Sequence, residues 1–494
     1  MNAQLDPQTP VLVGIGVVSR RCDDPRSAAE PFALMVEALE AAAVDAGSRA
    51  LLADADSIRV PRGFWDYSDP GRLVADRLGA KSAHTGLAEI GVLQQTILTE
   101  ACRAIAAGEE QVALVTGADA RYRTRRAERL GVALRDTPQT GEEPDRVWKP
   151  AGSLWADLEA QRGLVMPAHY YTIMESALRA ARGQTIDAHR DTVASLWARM
   201  SEIAARNPHA WHRTPVCATS IREATAENPM IAFPYTKLHN SDWNVDQAAG
   251  LLLCSVAKAR ARGVPEDRWV FPLAGTESNH MLPLATRADL HRCPGIAVAG
   301  GRALELAERR VEEVAHLDLY SCFPAAVQIA ALELGIPPER PLTVTGGMRF
   351  AGGPLNNYVL QATARMAEIL RADPGAAGLV TSISGFLNKQ GFGVWSTQPP
   401  RDGFRHADCS DAVAEATATR ELVSDASGPA RVAGYTVLFL GARAAKAIAV
   451  CDLPDGARTV CNTEDPALID AMMREEFVGR TVRVTEAGDL FATV

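Results

Sequence analysis

Short apolar runs punctuated by small residues alternate with longer stretches of helical spacing over much of the chain. Pro10–Val18 (PVLVGIGVV) reads as a buried strand, and Pro31–Gly47 (PFALMVEALEAAAVDAG) as an alanine-rich helix closed by glycine. Asp56–Val60 predicts a second short strand, Gly91–Gly108 a long helix stopped by glycine, and Gln111–Ala118 a buried strand ending in small residues. Strand–helix alternation of this kind predicts a parallel sheet with helices on its faces.

From about Tyr122 to Asn240 the rhythm changes. This stretch is rich in Trp, His, Arg and Pro, includes a helix over Ile186–Ala205, and reads as an inserted cap. Asp246–Ala259 returns to a buried strand pattern, and Val270–Ser278 begins another. The second half then echoes the first. Arg302–Val314 predicts a helix, His316–Tyr320 a strand, Ala325–Gly335 a helix, and Tyr358–Leu370 a helix that leads into the strand Gly378–Ser382. That succession repeats the pattern of Ala101–Ala118 and implies two similar α/β halves. Beyond Pro399–Pro400, the runs Arg431–Leu440, Ala444–Cys451, Thr481–Val484 and Leu490–Val494 predict a small β domain of barrel type.

Thr343–Tyr358 (TVTGGMRFAGGPLNNY) is the most distinctive stretch, with glycine pairs at Gly346–Gly347 and Gly352–Gly353. Paired glycines permit positive φ and close backbone approach, and the loop opens directly into a helix N-terminus, where partial positive charge collects. Asn356, Asn357 and Tyr358 place polar groups at that entrance.

At 494 residues the chain exceeds one core and predicts roughly three or four domains. Hydrophobic residues make up 47% and charged residues 22%, so pattern rather than composition decides the fold class. A net charge of −9 argues against nucleic acid as the main partner. The exception is Arg121–Arg129 (RYRTRRAER), either a solvated helix face or an anion site for a phosphorylated ligand. Nine cysteines without CxxC or CxxH spacing predict neither a disulfide framework nor a metal site, and fit a reducing cytoplasm. No apolar run reaches membrane-spanning length, so no membrane contact is expected.

Four blocks in order, VDQAAGLLL, DLYSCFPAAVQ, TVTGGMRFAGGPLNNY and GFLNKQGFGVWSTQPP, resemble the thiolase superfamily over most of Pro10–Pro400. The match is narrower with thiolase-like proteins, often labelled acetyl-CoA acetyltransferase, that carry an additional C-terminal β domain. The resemblance implies an α/β fold: a duplicated thiolase-type α/β/α/β/α core with an inserted loop domain and a small C-terminal β-barrel-like domain. The implied boundaries are 1–120 with 245–272 for the first half, 121–244 for the insert, 273–400 for the second half and 405–494 for the added domain. It also implies a coenzyme A thioester as substrate or ligand, no permanently bound cofactor, and a homodimer or a partner subunit.

A thiolase needs a nucleophilic cysteine at a helix N-terminus. By resemblance that position falls at about Gly91, where nothing is nucleophilic, and Cys102 lies about three turns further on, in the core. The family's histidine falls on Gly353 of Gly352–Gly353–Pro354, its acid/base cysteine near Ser382, and its Asn-Glu-Ala-Phe block on Tyr320–Phe323. Acyl-cysteine chemistry is therefore not expected. Tyr320 and Tyr358 survive as acid/base candidates, similar to superfamily aldolases that cleave steroid side-chain CoA thioesters without a nucleophilic cysteine. Alternatives are a CoA-thioester binder or scaffold subunit, and an acetyl-CoA acyltransferase using Cys322 as a displaced nucleophile. Lys389 either contacts an anionic ligand, acts as a base or lies on the surface; His239 and Asp242 are candidate pocket residues.

Overall fold

The computed structural model describes residues 5–492 and contains three sheets. The first runs Pro10–Ser19, Asp246–Ser255, Val112–Ala120, Ser57–Pro61, His84–Ala88, Arg146–Trp148. The second runs Val314–Asp318, Ala377–Ser384, Lys389–Ser396, Phe271–Ser278, Arg405–Asp408. A central helix layer lies between them. Ile97, Leu98 and Cys102 of the helix Gln94–Ala106 and Val359, Met366 and Leu370 of the helix Tyr358–Ala372 share one apolar cluster with Leu12, Val115 and Leu251 of the first sheet and Val380 and Trp395 of the second. The helix Pro31–Asp45 covers the outer face of the first sheet, and Pro294–Leu306 that of the second, so the duplicated α/β/α/β/α order is present.

Close approach builds the outer layer. A Cβ on Gly16 would lie 2.0 Å from the carbonyl oxygen of Ala38, so the outer helix reaches this strand only because the position is glycine. Each fully buried Leu or Met on that helix, such as Leu39 and Met35, contributes about 1.5–3 kcal/mol by leaving water.

Three expectations change. The first sheet is mixed, because Asp246–Ser255 returns from the insert and pairs antiparallel with both neighbours, while Ser57–Pro61, His84–Ala88 and Val112–Ala120 run parallel. That strand ends at Ser255, whose hydroxyl accepts from the Lys258 amide and caps the helix Val256–Ala261. In the second half the helix spans Pro294–Leu306 rather than Arg302–Val314: Pro294 pre-sets its first turn, and Val311–Glu313 is only a 3₁₀ turn.

Residues 121–244 contribute to two sheets. Arg146–Trp148 pairs with His84–Ala88, and Met230–Phe233 pairs with Gly428–Leu440. The helix Pro167–Ala181 lies against that last strand, with Thr172 Oγ1 donating to Thr436 Oγ1 at 2.8 Å and Arg179 ion-paired to Glu476 at 2.7 Å. The C-terminal sheet runs Arg458–Thr463, Arg443–Asp452, Gly428–Leu440, Thr481–Val484, Leu490–Ala492, and it curls so that its ends meet at the bridge Asn462–Asp489. Leu468, Ile469 and Met472 of the helix Pro466–Arg474 fill its concave side. The expected strand Leu490–Val494 extends past the described residues. Among those described, no helix is long and apolar enough to cross a membrane, and no group of His, Cys, Asp or Glu could hold a metal ion.

Candidate functional site

The glycine loop is organised by Asp318, at the end of Val314–Asp318 and fully buried. Its Oδ2 accepts from the amides of Val344 and Thr345, both at 3.0 Å, and from the hydroxyls of Thr343 at 2.8 Å and Thr345 at 3.0 Å. Its Oδ1 accepts from Tyr358 Oη at 2.9 Å. Gly346, Gly347 and Gly352 all have positive φ, and a Cβ on Gly352 would lie 2.2 Å from Gln247 Oε1. Gly353 donates its amide to the Asp242 carbonyl at 2.8 Å, which fixes the loop against the insert.

Tyr358 is fully buried, and its hydroxyl, 2.6 Å from Thr345 Oγ1, is taken up by this network. Burial and the Asp318 charge raise its pKa well above the ordinary value. Tyr320 differs. It is half-buried, its ring meets Tyr358 edge-on at 5.8 Å, and its backbone amide donates to Thr381 Oγ1 at 2.7 Å. Burial raises its pKa, and the Gln94 side chain beside its phenol partly offsets this.

Gln94 opens the helix Gln94–Ala106, three residues later than the pattern suggests, with Leu93 as the N-cap. Its Oε1 accepts from the Val359 amide at 2.7 Å and its Nε2 reaches Asn356 Oδ1 at 3.5 Å. Gly91, where the family's nucleophile was expected, precedes the helix with φ +101°, and its carbonyl accepts from Ser384 Oγ at 3.0 Å. On the other side of this turn, Gln95 packs over Gly391 beside Ser382, and Thr96 donates to Glu277 at 2.5 Å. Ser382 pairs with Gly391, Ser384 with Lys389, and Gly391 with Glu277, so these side-chain positions share the face beneath the helix start. Ser382 is buried and its Oγ has no hydrogen-bond partner among the described residues.

Lys389 is 1% exposed, which removes the surface alternative. Its ammonium forms no ion pair or hydrogen bond among the described residues, and burial lowers its pKa against the opposing influence of Glu277. Cys322 is half-buried. Burial pushes its thiol up to about 12, and its sulfur contacts the Tyr171 phenol, so the thiolate that a nucleophile requires is disfavoured. His239 does not line an opening: it is 3% exposed, bonded to Thr236, stacked on Tyr235 at 5.6 Å, and driven down to about 3 by burial. Cys102 is in the core, as expected.

Asn356 adopts φ +55° at the helix entrance and leaves its Nδ2 unpaired. Asn357 is 1% exposed with neither side-chain oxygen nor nitrogen bonded, and its Oδ1 lies 2.6 Å from where a Cβ on Gly117 would sit. Two positions along the same strand face is Asp119, a residue the sequence reading passed over. Both its oxygens are buried without a well-formed hydrogen bond, and desolvation raises its pKa to about 7 against the partial help of the Leu355 amide. Burial likewise raises Asp246 to about 6. A carboxylate closing an otherwise apolar strand, as in Val112–Ala120, was the available signal. The pair His212–Asp242, with Nε2 to Oδ2 at 2.7 Å, stands beside the loop, since the His212 amide donates to the Phe350 carbonyl at 2.8 Å.

The family profile for the thiolase-like protein type 1 additional C-terminal domain matches residues 411–489. No curated protein matches the chain. Among solved structures, a monomeric SCP2-thiolase-like protein type 1 from Mycobacterium smegmatis is 29% identical with a TM-score of 0.84, covering 99% of this chain and 100% of its own. The Ltp2-ChsH2(DUF35) aldolase is 18% identical, with a TM-score of 0.61 and coverage of 80% and 100%. An acetyl-CoA acetyltransferase from Syntrophomonas wolfei is 17% identical, with a TM-score of 0.53 and coverage of 79% and 99%; these two likenesses concern the fold. With both halves, the insert and the added domain in place, the chain is similar over its whole length to a thiolase-like protein with an additional C-terminal domain.

Proposed function

We propose that the protein binds an acyl-CoA thioester against the first turn of Gln94–Ala106 and makes or breaks a carbon–carbon bond there by proton transfer. The observation that carries this reading is the Tyr320 phenol, half-buried, edge-on to Tyr358 and beside Gln94 at the helix start, where the family presents a thiolate. In the cleavage direction a base takes the 3-hydroxyl proton, the Cα–Cβ bond breaks, and its electron pair enters the thioester carbonyl. The resulting enolate is then protonated at Cα. Tyr320, kept protonated by burial, donates to the thioester oxygen as charge develops. Lys389, whose charged form is disfavoured by burial, accepts the hydroxyl proton. Tyr358 holds the Tyr320 ring by its edge and is a positioning residue.

The test joins turnover of a panel of 3-hydroxyacyl-CoA thioesters, one steroid-derived, to calorimetric CoA-thioester binding. Tyr320→Phe is expected to lose about 100-fold or more in kcat with binding within about twofold. Binding without turnover in the wild type would favour a non-catalytic thioester-binding subunit. An acyl adduct on Cys322, seen by mass spectrometry, would instead favour a displaced nucleophile.

A further inference from the structure

A cavity of about 100 Å³ lies apart from the Tyr320 site, where the second half meets the helix Ser410–Ala416. Arg287 lines it and is 6% exposed. Its Nε and Nη2 donate to the Leu282 carbonyl at 3.3 and 3.1 Å, and Nη2 also to the Phe386 carbonyl at 2.7 Å. Its Nη1 makes no hydrogen bond among the described residues, and no carboxylate lies within ion-pair distance. Glu159, the nearest influence of opposite sign from outside the cavity, is already bonded to the Ala285 and Ala156 amides. A guanidinium buried this way costs several kcal/mol unless an anion meets it.

The opposite wall is the start of the helix Pro294–Leu306, with Cys293 as N-cap and Gly295 in the first turn. Gln390, 2% exposed, donates from Nε2 to the Leu387 carbonyl at 2.8 Å and to Cys293 Sγ at 3.4 Å. Its Oε1 is buried beside Gly295 with no donor. His280 Nε2 on the same lining is also unpaired, and Asp289 and Arg292 stand at the rim, Arg292 paired to Glu333. The cavity thus joins an uncompensated cation and a helix N-terminus to a buried acceptor, a combination that neither water nor a simple anion satisfies alone.

We propose that this cavity is a second ligand site, for a short carboxylate bearing a hydroxyl group. The carboxylate lies on Arg287 Nη1 and the helix start, and the hydroxyl donates to Gln390 Oε1. The volume admits roughly four to six non-hydrogen atoms. Burial pushes the Cys293 thiol up to about 11, so it serves as wall and weak donor, and no covalent step is involved.

The test uses the full chain and glycolate, with acetate and chloride at equal ionic strength, followed by melting temperature and calorimetry. Expected are a saturable rise with glycolate, about tenfold weaker affinity for acetate, and none for chloride. Arg287→Gln keeps donors for the two carbonyls and should lose at least tenfold in affinity. Ala288→Leu, which fills the mouth and leaves Arg287 in place, should abolish binding even if the first variant folds poorly. Equal affinity for glycolate and acetate, no saturable effect, or binding unchanged in Ala288→Leu overturns the proposal. None of these readouts involves a CoA thioester, so the outcome stands independently of the Tyr320 chemistry.

Discussion

Two buried carboxylates flank the same glycine loop and have opposite surroundings. Asp318 receives five donors and fixes the Thr343–Thr345 segment and Tyr358 in one arrangement. Asp119, equally buried, has no well-formed partner, and the neighbouring Asn357 has none either. Where buried polar atoms are fully satisfied they specify shape; where they are not, they leave a protonation state or a ligand to be decided by conditions. The contrast leaves Asp318 as architecture and Asp119 as a carboxyl whose contribution to stability depends on its proton.

The strongest way to break this contrast is Asp318→Ala. It orphans several buried donors at once and should destabilise the fold by about 5 kcal/mol, measured by urea unfolding. A loss under about 1 kcal/mol would mean that water replaces the carboxylate and that the two sites are alike. Next comes pH. Because the folded Asp119 holds its proton up to about 7 while the unfolded chain releases it near 3.8, its stabilising contribution is present below about 4 and lost as pH rises to about 7. The expected fall from this group is up to about 4 kcal/mol, at about 1.4 kcal/mol per unit. Asp119→Asn should remove this component between about 4 and 7, while the part up to about 6 that belongs to Asp246 stays. An unchanged profile would show that Asp119 is ionised and paired in solution.

Smaller effects sharpen the comparison. Tyr358→Phe removes one of the donors to Asp318 and should cost about 1–2 kcal/mol at neutral pH, with Tyr320 still in place. Chemical denaturation separates this from a change in turnover. Asn356→Gly should shift stability by no more than about 1 kcal/mol, since relief of the left-handed backbone offsets the long contact with Gln94.

The succession of strands and helices was legible because it depends on neighbours along the chain. Pro31–Asp45, Val112–Ala120 and Tyr358–Ala372 fall where apolar periodicity places them. The glycine loop was legible as well, and so was its delivery of Tyr358 into a helix. What was not legible depends on contacts across the chain. Lys389 sits between Asn388 and Gln390 and reads as a polar loop, but it begins the strand Lys389–Ser396 and its side chain falls beneath a helix from the other half. Asp119 was hidden because nothing nearby in sequence says that a distant loop, at Leu355–Asn357, will pack over it without supplying a good donor. The two tyrosines looked equivalent until Asp318, reaching up from its own strand end, claimed one of them.

The short strand Arg146–Trp148 has a consequence for assembly. It occupies the hydrogen-bonding edge of His84–Ala88, its carbonyl at Trp148 receives the Glu89 amide at 3.0 Å, and the Trp148 ring lies over Gly86, where a Cβ would come within 2.5 Å of it. An uncovered edge strand is a template for pairing with another chain. Here the edge of His84–Ala88 is filled from within, so a second copy that pairs with that strand must first displace a stretch of the protein's own backbone, and the insert thereby acts as a built-in competitor at that position.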